Sequence, residues 1–76
     1  MSIALTRIEP DRGMRRYYSL SCWPDLFGGV SVVREWGRIG SPGRLRCDPY
    51  PGQAEAEAAL EALRRRKIRR GYREAR

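Results

Sequence analysis

The spacing of apolar residues divides the chain in two. Up to residue 50 the dominant period is two, the mark of strands. From Gln53 onward it is that of an amphipathic helix. The clearest strand runs from Met14 to Trp23. There Tyr18, Leu20 and Cys22 alternate with Tyr17, Ser19, Ser21 and Trp23, so the first set is expected to face the core. A shorter strand is predicted over Ile3 to Glu9, stopped by Pro10 and the turn residues Asp11-Arg12-Gly13. The β-branched run Val30 to Trp36 predicts the central strand, with Val30, Val32, Arg34 and Trp36 on one face. Arg44 to Asp48 alternates again, which points Leu45 and Cys47 inward and Arg44, Arg46 and Asp48 outward.

The connections carry their own signals. Pro24-Asp25-Leu26-Phe27-Gly28-Gly29 predicts a hairpin loop, and its two large apolar residues, Leu26 and Phe27, are expected to fold back over the core. Gly37, Gly40 and Gly43, with Ser41 and Pro42, bring the chain round into the next strand. Past Pro49-Tyr50-Pro51-Gly52, the segment Gln53 to Arg70 contains neither Gly nor Pro, and Ala56, Ala59, Leu60 and Leu63 recur at helical spacing. Gly52 fits the N-cap, and Gly71 fits the left-handed position that ends the helix. The predicted class is therefore α+β: a small antiparallel β-sheet with one principal C-terminal α-helix packed on it.

Seventy-six residues make one domain, 1–76, with a core expected over about 5–73 and short tails at either end. Such a chain buries only about 60% of its unfolded surface, so net stability should be a few kcal/mol, and a second copy would help. No apolar run approaches the roughly 20 residues of a membrane span, and the charged first sixteen residues leave no apolar stretch for a secretory signal. A cytoplasmic protein is the expectation. Cys22 and Cys47 fall in strands expected not to be neighbours, about 9 to 10 Å apart and beyond disulfide reach. With no histidine in the chain, neither a metal nor another cofactor is expected.

Charge changes the picture. Sixteen Lys and Arg against nine Asp and Glu give +7, a balance that attracts polyanions. Every cation but Lys67 is arginine, which suits bidentate contact with phosphate and guanine, although a coding bias towards arginine would give the same ratio. On the helix, Glu55, Glu57 and Glu61 precede Arg64, Arg65, Arg66, Lys67, Arg69 and Arg70, an order that suits the helix dipole. Seven cations from Arg64 to Arg73 exceed what a dipole of about half a charge calls for.

The run Arg34-Glu35-Trp36-Gly37-Arg38-Ile39-Gly40 resembles the signature of the WGR domain, a module of several poly(ADP-ribose) polymerases that also occurs as small bacterial proteins. Met14 to Leu20, the Pro24 to Gly29 loop, the Ala/Leu/Glu helix and the closing Arg70-Gly71-Tyr72 extend the resemblance over about residues 5–73. In the polymerases the domain helps recognise DNA strand breaks. Its Trp packs on a terminal nucleotide's sugar, and its Arg joins contacts with DNA and neighbouring domains. By resemblance those positions are Trp36 and Arg38. The implied site is Trp36, Gly37 and Arg38, flanked by Arg34, Arg44 and Arg46, with Arg64 and Lys67 of the helix as auxiliaries. Gly37 would let a ligand approach closely, and stacking on Trp36 would be worth roughly 1 to 3 kcal/mol per base.

The plain structural alternative for Trp36 is a core residue packed under the helix. Three classes of function stay open: a DNA-binding module without strong sequence preference, an RNA-binding one, and an adaptor for an acidic protein. An enzyme is not expected. The chain has no histidine, no phosphate-binding glycine loop and no paired catalytic carboxylates, and Glu9, Asp25, Glu35 and Asp48 lie scattered.

Overall fold

The computed structural model describes residues 2–75; Met1 and Arg76, the outermost residues of the expected tails, lie outside the described residues. Five strands and one principal helix follow in the order β1 (Ser2–Glu9), a short 3-10 turn (Pro10–Arg12), β2 (Met14–Pro24), β3 (Val30–Arg38), β4 (Arg44–Tyr50), α1 (Gln53–Arg69) and β5 (Arg73–Glu74). The strands form one sheet in the order β4-β3-β2-β1-β5, antiparallel at every pairing. The α+β class read from the periodicity is the architecture found. The middle of the sheet is β2, however, and not the Val30 to Trp36 strand. The terminal strand β5 pairs with β1 and extends the sheet on that side, which shifts the centre by one strand.

The core is small: Leu5, Tyr18, Leu20 and Val32 from the sheet meet Ala56 and Leu60 of α1. These positions follow from strand alternation and helical spacing. Ala59 and Leu63 pack at its margin, so the four apolar positions predicted for the helix all face the sheet. Gly52 stands at the N-cap, and Gly71, at φ +100°, takes the left-handed conformation that ends the helix and frees Tyr72 to turn back.

The inward set predicted for the fourth strand is reversed. Arg44 is opposite Trp36, Arg46 opposite Arg34 and Asp48 opposite Val32, so the charged residues share the helix side of the sheet. Leu45 and Cys47 lie on the open side, exposed. An edge strand at the margin of the helix buries neither face deeply. Its register is held instead by an ion pair of Arg34 with Asp48, N to O 3.1 Å, and by Arg46 on the same carboxylate. Cys22, partly buried beside the core, and Cys47 are both free thiols, on strands separated by β3 and on opposite faces. Burial raises the Cys22 pKa and keeps that thiol protonated.

The loop between β2 and β3 also departs from expectation. Leu26 and Phe27 do not tuck over the core; each is 96% exposed. The Asp25 carboxylate accepts hydrogen bonds from the backbone N–H of Phe27 (2.8 Å) and Gly29 (2.9 Å), which closes the loop locally and turns the intervening side chains outward.

Gly43 sits where β4 leaves the turn. A side chain there would run into the carbonyl oxygen of Trp36 and the hydroxyl of Tyr17, while one at Gly37 would come within 2.9 Å of the Gly43 Cα. The two glycines therefore let β3 and its turn close on each other. Gly43→Ala is expected to cost about 1 to 3 kcal/mol, since fixed backbone must shift. Thermal melting should register this as a fall of some 5 to 20 °C, and an unchanged midpoint would refute the packing argument.

Candidate nucleic-acid interface

One hollow lies on the helix side of the sheet, where the C-terminal turns of α1 pass over the end of β2 and β3. Antiparallel register assembles it. Tyr18 pairs with Trp36, and Arg16 with Arg38; Arg7 pairs with Arg16; Arg46 pairs with Arg34. All of these positions have the parity that faces the helix. From α1 and the turn after it come Lys67, Arg70 and Tyr72. Seven cationic side chains and three aromatic rings thus border one space of about 540 Å³, and no carboxylate is among its lining residues.

The aromatic floor is ordered. Trp36 stacks on Tyr18 with ring centroids 5.7 Å apart and an interplanar angle of 17°. Tyr72 meets Tyr18 edge-on at 6.2 Å. Lys67 holds its ammonium 4.4 Å from the Tyr18 ring centre and 5.9 Å from that of Tyr72, a cation–π arrangement. Trp36 is only partly buried. It packs at the core margin and also lines the hollow, so the two roles weighed for it from sequence are combined in one residue.

The cations differ in how far they are already satisfied. Arg7 is paired with Glu9, and Arg34 and Arg46 share Asp48. Among the described residues Arg16, Arg38, Lys67 and Arg70 have no carboxylate within ion-pair distance, and the Nε–H of Arg34 is buried without an acceptor in the protein. Burial, and then the charges of Arg70, Arg34 and Arg66, push the Lys67 ammonium below its ordinary pKa. Desolvation is the larger cause, and crowded like charge adds to it. An entering anion would relieve the crowding.

Of the residues read from sequence, Trp36, Gly37, Arg38, Arg34, Arg46 and Lys67 come together around this hollow. Two do not. Arg44 lies opposite Trp36 on the same side of the sheet but outside the lining, exposed on the edge strand. Arg64 is turned away and held by Glu61 and Glu74, with N to O distances of 2.6 Å to each, and these contacts raise its pKa. Gly37 borders the hollow by its backbone. The space its missing side chain leaves is filled by Gly43 and the Tyr17 ring rather than kept open for a ligand. Arg7, Arg16, Tyr18, Arg70 and Tyr72 were not singled out from sequence. Tyr18 had been assigned inward by alternation, but only the β2–β3 register sets it against Trp36.

Fold and hollow together define a small α+β domain that gathers cations over stacked aromatic rings at one end of its sheet. The chain belongs to the WGR domain family, whose model matches residues 1–76. An uncharacterized protein of Sinorhizobium fredii, y4dW, is 40% identical over 67 residues, which cover 88% of this chain and 33% of that protein. The chain thus spans about a third of the length of the curated relative it matches. No solved structure matches. Among the described residues no helix is long and apolar enough to cross a membrane, and no group of three potential ligands could hold a metal ion.

Proposed function

We propose that this domain is a non-enzymatic nucleic-acid-binding module that grips DNA by its backbone near an end, nick or gap, without strong sequence preference. The observation that carries the reading is the hollow itself: seven cations, no lining carboxylate and a partly exposed indole on its floor. Arg16, Arg38 and Arg70, which pair with no carboxylate among the described residues, would take phosphate oxygens, which arginine binds through planar, charge-assisted hydrogen bonds. Trp36 offers a ring to a sugar or base only where the nucleotide's own stacking partner is missing, which favours ends and gaps over continuous duplex. The WGR domains of poly(ADP-ribose) polymerases, which help recognise DNA strand breaks, support the same reading by family. Phosphate contacts position a ligand without reading its sequence.

The test is fluorescence anisotropy with blunt, nicked and single-stranded DNA and with RNA, at two salt concentrations, on the wild type and Trp36→Ala. The wild type should prefer broken or open DNA. The variant should bind about 5- to 150-fold more weakly, the worth of one stacked base. Because Trp36 also packs on Tyr18, each titration is run below the variant's own melting midpoint. Equal binding by the folded variant would refute the stacking role. Tighter binding to RNA, or displacement of DNA by an acidic protein that holds the same face, would reassign the ligand.

A further inference from the structure

The charges of this chain are divided by position. All 16 Lys and Arg residues fall within 7–16, 34–46 and 64–76, and none occurs in 17–33 or 47–63. The fold brings part of each cation-free segment to one end of the molecule: the β2–β3 loop, the strand ends that meet it, and the first turns of α1. That end carries Asp25, Glu55 and Glu57, none of them in an ion pair among the described residues, while Asp48 and Glu61 reach to Arg34 and Arg46 and to Arg64 and Arg65. It lies about 20 Å along β3 from Trp36, six residues of strand.

The same end presents the two most exposed large apolar side chains among the described residues, with a third beside them. Leu26 and Phe27 are each 96% exposed, and Trp23 is 60% exposed. They are held there rather than left loose. Asp25 accepts both loop N–H groups and donates its own N–H to the Gly29 carbonyl at 2.9 Å, and a side chain at Gly29 would come within 2.6 Å of the Tyr50 carbonyl oxygen. Beside this knob, on the sheet face that the helix leaves uncovered, lies a hollow lined by Ser2, Ser19, Ser21, Cys22, Trp23 and Pro24.

We propose that this end is a self-association surface, on which two copies pair about a twofold axis with Leu26 and Phe27 of each set against the Trp23 hollow of the other. Charge and shape select the occupant together. A polyanion or an anionic membrane would meet Asp25, Glu55 and Glu57 there. A second copy offers an apolar hollow for the knob, and pairing at this end keeps the Lys and Arg side chains of the two copies apart. A knob and a hollow on the same patch are what a self-complementary twofold contact requires. Leu26, Phe27 and Trp23 would bury roughly 1,000 Å² over the two copies, the low end of specific interfaces, so the dimer should be reversible at micromolar concentration. Its two basic ends would point away from each other. The proposal does not depend on what those ends bind.

Sedimentation equilibrium of the protein without nucleic acid, over about 5 to 500 μM, tests it. The mass should climb from 8.8 kDa to twice that value and stop. The double variant Leu26→Ser, Phe27→Ser should remain monomeric throughout, with a melting midpoint equal to the wild type's at concentrations where both are monomers, because the exposed side chains make no core contact. Arg38→Glu, Arg70→Glu should still dimerise. A wild type that stays monomeric, a double variant that still associates, or a mass that grows past the dimer would each overturn the proposal. So would loss of association in the Arg38, Arg70 variant, which would indicate head-to-tail contact between unlike ends.

Discussion

Raising salt from 50 to 200 mM is expected to weaken DNA binding by roughly 150-fold, with a slope of log affinity on log salt of about −3.6. The expectation follows from the hollow. Each phosphate neutralised releases condensed counterions. Seven cations line the space, three of them already sharing carboxylates, so four are left to act as full charges. Replacing Lys67 by Met should flatten the slope by about one and lower affinity for every DNA form alike, since an ammonium on a phosphate carries no sequence information. The lysine is desolvated among three arginines, so this substitution should leave the melting midpoint level or raise it. A slope near zero, measured on any of the DNA forms, would mean that the cations do not meet phosphate and would remove the basis of the proposed function.

Leu60→Ala is expected to lower the melting midpoint by about 10 to 30 °C. Leu60 is wholly buried and, with Ala56, is the contact by which the helix closes the sheet. A buried leucine cut to alanine costs about 2 to 5 kcal/mol. A domain of this length holds only about 4 to 11 kcal/mol in all, and each kcal/mol moves the midpoint by about 4 to 8 °C. The hollow should fail with the core, because Lys67 and Arg70 reach it only while the helix is seated. Circular dichroism melts read the effect directly, and a loss under about 5 °C would show that some other contact seats the helix. Leu26→Ala, matched in chemistry but at a position 96% exposed, should leave the monomer's midpoint where it is.

The helix and the first four strands were legible because their signals are local, whereas the two-residue strand β5, which makes β2 the middle of the sheet, was not. Gly52 and Gly71 bracket a run with no internal Gly or Pro, and Tyr18, Leu20 and Val32 sit where simple alternation puts them. The fourth strand was misjudged because alternation reports which residues share a face but not which face is covered. On an edge strand the apolar pair Leu45 and Cys47 faces the open side, and the Arg34, Asp48 and Arg46 cluster fixes the register from the other. Leu26 and Phe27 were misjudged because hydrophobicity argues for burial, whereas the Asp25 carboxylate closes the loop before either side chain can reach the core.

The candidate site divides along the same line. Trp36, Gly37 and Arg38 are read from a contiguous motif, so the chain alone determines them, together with the family, the class of fold and its own excess of positive charge. Distance along the chain conceals the rest. Arg7, Arg16 and Tyr18 join Trp36 only through antiparallel pairing, and Arg70 and Tyr72 only through the way the helix ends at Gly71. Arg64 and Lys67 stand three residues apart on one helix, yet Arg64 turns to Glu61 and Glu74 while Lys67 turns to Tyr18. Local spacing fixes elements, but which side chains share a space depends on register and helix seating, and those are set by contacts between residues far apart in the chain.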